Sequence, residues 1–153
     1  MLDIIEKYLK KCKDLLLEND LCLSIYNDKG YKVQLDENSI LYVKNNNEVT
    51  IYLTLNNINI SNFTLIQLPG CCGVCVSTRC WVKETYRNKG LNTLLNNFRM
   101  EIAKYLGYTV LLCTDKEDNK AQKRVLEKNN WKQIDQFKNK RTGNIVNIHT
   151  IHL

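Results

Sequence analysis

Apolar side chains recur at Ile5, Leu9, Cys12, Leu15 and Leu16, the spacing of one helix face, with Lys7, Lys10, Lys11 and Lys13 left for the other side. A first helix is predicted over residues 3–18. Beyond it the period shortens. Apolar or alternating runs at 21–26, 31–35, 40–43, 49–55 and 63–68, separated by Asn, Asp and Gly, predict antiparallel strands joined by tight turns. Asn45, Asn46 and Asn47 mark a hairpin loop, and Pro69 with Gly70 a break before the next strand. Residues 73–82 read as a long central strand. Leu91, Leu94, Leu95, Phe98, Ile102, Ala103 and Leu106 return to helical spacing until Gly107 stops it. The apolar run 108–113 suits a buried parallel strand, and Asp118 or Asn119 N-caps a helix reaching Lys128. Strands at 131–137 and 145–151 close the chain as a hairpin around the basic turn 138–143. Helix, antiparallel strands, helix, strand, helix and hairpin make an α+β order within a single domain, residues 1–153.

A chain of 153 residues can bury a core without metal or disulfide support. It has no apolar run of about 18 residues, and its first residues mix acids with bases in place of an apolar signal core, so a soluble, cytoplasmic protein with no membrane partner is expected. Seven cysteines, an odd number, argue against a disulfide framework, and most are expected as small buried hydrophobes. Cys72-x-x-Cys75 and His149-x-x-His152 have zinc-like spacing in outline. The two halves lie far apart and the first sits in an apolar strand-like run, so no metal is expected. The net charge of +6 is uneven: residues 1–70 hold seven Lys against nine acids, and residues 71–153 fifteen Lys and Arg against seven. An anionic partner therefore belongs to the second half, whether cofactor phosphates, an acidic protein or nucleic acid.

Arg87-Asn88-Lys89-Gly90-Leu91-Asn92-Thr93 joins the central strand to the helix that follows. At such a turn the first helical N–H groups lack intrahelical partners, the helix dipole adds partial positive charge, and glycine lets backbone approach a ligand closely. A phosphate site is predicted there. Downstream stands Asp118-Asn119-Lys120-Ala121-Gln122-Lys123-Arg124-Val125-Leu126-Glu127-Lys128-Asn129-Asn130-Trp131. The first segment resembles the R/Q-x-x-G-x-G/A motif of the GNAT superfamily of acetyl-CoA-dependent N-acetyltransferases, and the second resembles its N-x-A-x-x-x-x-L-E-K-x-G-F segment. The likeness covers residues 73–131. Asn92 replaces the last small residue of the first motif, and Asn130-Trp131 replaces Gly-aromatic in the second, where Asn suits a left-handed helix stop.

The resemblance implies a GNAT-like α+β fold: a mixed, mostly antiparallel twisted sheet with helices on both faces and splayed central parallel strands. It implies acetyl-CoA as co-substrate, its pyrophosphate held by Arg87, Asn88, Lys89, Gly90, Leu91, Asn92 and Thr93. The pantetheine arm would lie beside Cys80, Trp81 and Val82, with Asn119 touching it as well as capping a helix. It also implies direct attack by a primary amine in a ternary complex. The family's general-acid tyrosine position falls on Leu126 and its base carboxylate position near Val76, both inert. Cys80, Tyr86 and His149 remain the catalytic candidates, with Glu84, Cys113, Thr114 and His152 behind them. His149 and His152 must face opposite sides of a strand. Trp81 and Trp131 are expected in the core, Trp131 as a family core aromatic. A silent acyl-CoA-binding domain and a nucleic-acid-associated module are the alternatives. The acceptor class is open, and a monomer or homodimer is expected.

Overall fold

The computed structural model describes residues 1–27, 29, 32–33 and 47–153. Helix α1 (Leu2–Leu16) buries Ile5, Tyr8, Cys12 and Leu16 at helical spacing and ends at Leu17, whose φ of 58° is left-handed. It is followed by β1 (Leu21–Asn27), the two-residue β2 (Lys32–Val33), β3 (Glu48–Leu55), β4 (Ile58–Gln67) and β5 (Val74–Val82). A single 3-10 turn (Glu84–Tyr86) leads into α2 (Leu91–Tyr105). Then come β6 (Val110–Lys116), α3 (Lys120–Lys128), β7 (Lys132–Lys138) and β8 (Ile145–His152). The strands form one sheet in the order β2-β1-β3-β4-β5-β6-β8-β7, antiparallel at every junction except β5 with β6.

The expected strand at 63–68 starts earlier than its pattern indicates. Leu55 faces Ile58 across a two-residue turn of Asn56 and Asn57, at φ 49° and 63°. Left-handed residues at both central positions match the twist of the flanking strands, and Asn adopts that conformation at lower cost than most residues. The strands expected at 31–35 and 40–43 fall mainly or wholly outside the described residues, as do Asn45 and Asn46.

Val49, Ile51 and Leu53 of β3 and Phe63 and Leu65 of β4 are buried together. Phe98 of α2 meets Phe63 edge-on at 5.6 Å and stacks on Tyr8 of α1 at 4.8 Å. Both helices therefore share one face of the sheet, so the expected division of helices between two faces is not made by this pair. Leu126 of α3 joins the same buried cluster. Each large apolar side chain fully buried here is worth about 1.5–3 kcal/mol.

The parallel pair is short. It runs from Val74 opposite Val110 to Ser77 opposite Cys113, after which β5 stays with β4 as far as Val82 and β6 stays with β8 as far as Lys116. The central strands are therefore splayed. A β-bulge accompanies the parting: Thr64 pairs with Thr78 but Asn62 with Trp81, and Arg79 sits at φ 52°.

All seven cysteines are free, and burial of most of them is not found: Cys12, Cys75 and Cys113 are buried, whereas Cys22, Cys71, Cys72 and Cys80 are exposed. Cys71 and Cys72 lie in the exposed turn before β5, and Cys22 is an exposed position of β1. Burial pushes the Cys12, Cys75 and Cys113 thiols up to about 12.

Candidate active site

The parting of β5 and β6 opens a cleft of about 550 Å³, walled by the end of β5, the first turn of α2 and the outer face of α3. Of the residues expected around a nucleotide, Cys80, Trp81, Val82, Arg87, Asn88, Gly90, Leu91, Asn92, Thr93 and Asn119 line it together. Lys89 does not; its Nζ lies 5.4 Å from the centroid of the Tyr86 ring, a cation–π contact.

Local backbone explains how the turn presents itself. Asn88 (φ 61°) and Gly90 (φ 83°) are both left-handed, curling the chain so that α2 begins abruptly at Leu91. No side chain caps that start, and its first turn carries no acid. Leu94 N already donates to Gly90 O at 3.1 Å, so the earlier amides of the turn are the ones without an intrahelical acceptor. A Cβ on Gly90 would meet only Leu15 Cδ1 at 3.9 Å. Glycine is therefore favoured there by backbone conformation and not by lack of room. Arg87 Nε donates to Val82 O at 2.9 Å, fixing the turn to the end of β5.

Asn92, whose side chain threatens to crowd a ligand in the sequence, instead donates to Gln122 Oε1 at 2.9 Å and ties α2 to α3. Asn119 caps α3, its Oδ1 accepting from Gln122 N at 3.1 Å. Ala121, Gln122, Arg124 and Val125 complete the cleft wall. The sequence reading missed these four as site residues, although they sit at helical spacing within the second segment it singled out.

Trp81 is a correction. It is 42% exposed and lines the cleft, whereas Trp131 is buried as expected. The bulge lies just before Trp81 and breaks the inward-outward alternation on which a core placement depends.

Among the catalytic candidates, Cys80 and Tyr86 line the cleft; Glu84, Cys113, Thr114, His149 and His152 do not. His149 is buried on β8, where Nε2 lies 2.7 Å from Asp115 Oδ1 of β6, while His152 is exposed as alternation requires. Leu126 is fully buried. Cys80 Sγ accepts from Nη1 of Arg99, a buried α2 residue absent from the sequence reading. Only the register of β5 against α2 reveals that contact.

No family model and no curated protein matches the sequence. Solved structures match in three dimensions. A GNAT family acetyltransferase from Elizabethkingia anophelis with acetyl-CoA bound aligns with a TM-score of 0.66 at 15% identity, over 89% of this chain and 100% of the other. The ribosomal-protein-S18-alanine N-acetyltransferase from Escherichia coli gives 0.64 at 11% identity, over 86% and 93%. An IAA acetyltransferase from Bacillus cereus gives 0.64 at 13%, over 87% and 99%. At such identities the likeness is one of fold, and the fold it shows is that of the GNAT superfamily.

Proposed function

We infer that the cleft binds acetyl-CoA and that the chain moves the acetyl group to a primary amine by direct attack in a ternary complex. The carrying observation is the start of α2: an uncapped, acid-free first turn facing a cleft, with Arg87 beside it and Arg124 opposite. A helix start of this kind favours a nearby anion by about 0.3–1 kcal/mol per charge, and up to about 2 when partly buried.

In this reading the amides across residues 87–93 seat the pyrophosphate, and the Thr93 hydroxyl adds a donor. The pantetheine arm runs along β5 beside Cys80, Trp81 and Val82, where the parted β6 leaves backbone groups without a neighbouring strand. An N–H there polarises the acetyl carbonyl; a single oriented donor to a developing oxyanion is worth about 2.7–4 kcal/mol. The amine attacks the carbonyl carbon, the C–S bond breaks, and the departing thiolate takes a proton from the new ammonium group. In this reading the attacking amine first loses a proton to solvent: Leu126 has none to exchange and His149 is occupied with Asp115 outside the cleft, which leaves Cys80 and Tyr86 as the candidate groups at the wall.

The inert Leu126 and Val76 at the family's acid and base positions favour a second reading, an acyl-CoA-binding domain without turnover. Isothermal titration with acetyl-CoA, with desulfo-CoA and free phosphate as controls, tests both. One-to-one binding in the micromolar range is expected, and release of CoA on adding an amine then separates enzyme from silent binder. Absence of binding would remove both readings and turn attention to nucleic acid, whose association with the basic half would weaken steeply with salt.

A further inference from the structure

Arg99 is 1% exposed, and among the described residues no Asp or Glu pairs with it. A guanidinium taken out of water is costly unless its donors and charge are met. Here Nη2 donates to Asn96 Oδ1, Nη1 donates to Ser77 Oγ at 3.1 Å and to Cys80 Sγ, and Nε has no partner. The cation is thus aimed, through a polar shell with no carboxylate, at a sulfur on the cleft wall.

The bulge in β5 creates this arrangement. Ser77 faces α2, so strict alternation would send Arg79 to the same side and Cys80 to the other. The left-handed Arg79 reverses that order. Arg79 turns away to pair with Glu48 Oε1 at 3.0 Å, and Cys80 turns in to Arg99 and lies 3.4 Å from Ser77 Oγ. Re-aiming one side chain beside a site is a recurrent use of bulges.

We propose that Cys80 is a thiol-exchange site that accepts a coenzyme A thiol as a mixed disulfide, closing the cleft to acetyl-CoA. The proposal rests on the cofactor reading above, which brings the thiol end of the pantetheine arm to Cys80. The Cys80 sulfur, as thiolate, attacks one sulfur of CoA disulfide. The S–S bond of CoA disulfide breaks, Cys80–S–S–CoA forms, and the second CoA leaves as a thiolate with the electron pair and is protonated by solvent. Cys80 is oxidised and the departing CoA sulfur reduced; a free thiol reverses the exchange. Arg99 faces the negative charge that the Cys80 sulfur carries in the attack. The seated nucleotide holds the disulfide at high effective concentration. Cys22, Cys71 and Cys72 are exposed but lie outside the cleft.

The test is the rate at which each cysteine of the intact chain gains CoA from CoA disulfide, read by peptide mass spectrometry. Hydroxyethyl disulfide serves as an untethered reagent and desulfo-CoA as a competitor whose own binding is titrated. Cys80 is expected to react about tenfold or more faster than Cys71 and Cys72 with CoA disulfide, with a smaller margin for hydroxyethyl disulfide. Desulfo-CoA should slow Cys80 alone, and dithiothreitol should restore acetyl-CoA binding to the modified protein. Arg99→Gln should bring the Cys80 rate toward that of Cys71, and Arg99→Lys should retain part of the margin; if either fails to fold, the rates within the unaltered chain decide. Equal rates at Cys80, Cys71 and Cys72 while desulfo-CoA binds would overturn the proposal and leave the cofactor reading standing. Equal rates without desulfo-CoA binding would overturn both.

Discussion

Two helices begin at the same cleft and begin differently. α3 is closed by its own chain: Asn119 Oδ1 accepts from Gln122 N, and of the basic residues that follow it is Arg124 that this helix brings to the cleft. α2 starts at a left-handed glycine with no capping side chain. A side-chain cap is worth about 1 kcal/mol, so a helix start that lacks one forgoes that stabilisation. Where such a start also walls a cleft, its amides remain for an acceptor from outside the chain. The ends of the two helices divide the work accordingly. The bodies divide it the other way, since α2 is fixed by Phe98, Ile102 and Ala103 in the core whereas α3 buries Leu126 alone.

The sharpest way to break this contrast is to fill the open start. Gly90→Asp has room, the nearest atom being Leu15 Cδ1 at 3.9 Å from its Cβ, and Asp tolerates left-handed backbone better than most residues. Its carboxylate would oppose the phosphates. Acetyl-CoA affinity should fall by two to three orders of magnitude, since like charges within ~4 Å at partial exposure cost up to ~4 kcal/mol. Folding should change by about 1 kcal/mol or less. Titration of a folded Gly90→Asp protein that binds acetyl-CoA as before would mean the phosphates sit elsewhere.

Leu126→Ala acts on the other helix through its body. Removing a fully buried leucine should cost about 3 kcal/mol in a denaturant melt, with loss of binding following loss of fold. If the variant melts like the parent yet no longer transfers acetyl groups, Leu126 has a role in the chemistry that packing does not supply.

The open turn was legible in the sequence because its signal is local: a glycine preceded by two basic residues, after an apolar run and before an apolar helical stripe. The same holds for Asn119, for the end of α2 near Gly107, and for the opposite exposure of His149 and His152. What stayed hidden depends on pairing between distant segments. The start of β4 was missed because Asn56 and Asn57 make the whole turn, and Asn59, Ser61 and Asn62 dilute the apolar pattern beyond it. Cys80 and Trp81 were placed at the cleft by the family resemblance, but the exposure of Trp81 and the turn of Cys80 toward Arg99 were unreadable because a bulge exists only in the register of β5 against β4. Ala121, Gln122, Arg124 and Val125 enter the cleft because α3 docks on α2 through Asn92. The His149–Asp115 pair likewise needs the antiparallel register of β6 and β8.

Asn119→Ala sharpens the comparison at the capped start. As a cap alone, Asn119 should cost about 1 kcal/mol of stability when truncated, with little change in acetyl-CoA affinity. A tenfold weaker affinity at unchanged melting temperature would instead assign the side chain to the ligand, as the family resemblance implies.

The smallest expected effect lies on the body of α2, where α1 holds it. Glu101 accepts from the Tyr8 hydroxyl at 2.7 Å and from Lys7 Nζ at 2.8 and 2.9 Å. Partial burial pushes the Glu101 carboxyl up, but the hydrogen bonds from Lys7 and Tyr8, with the charges of Lys7 and Lys11, outweigh it and hold the carboxyl below its ordinary 4.5. Burial, and then Glu101 itself, pushes the Tyr8 hydroxyl up, so Tyr8 stays a donor throughout. A carboxyl that binds its proton less tightly folded than unfolded adds stability above the unfolded value and loses it as pH falls through the folded one. The Glu101 side chain is 38% exposed, so solvent screens the pair and Glu101→Gln should cost less than about 1 kcal/mol at neutral pH. The gap between parent and variant should close as the melts are carried from pH 7 to below the ordinary carboxyl range. A gap that persisted there would show that Glu101 holds α1 to α2 by shape and hydrogen bonding, with its charge contributing nothing. Because this contact lies away from the cleft, acetyl-CoA affinity should stay unchanged at either end of the titration.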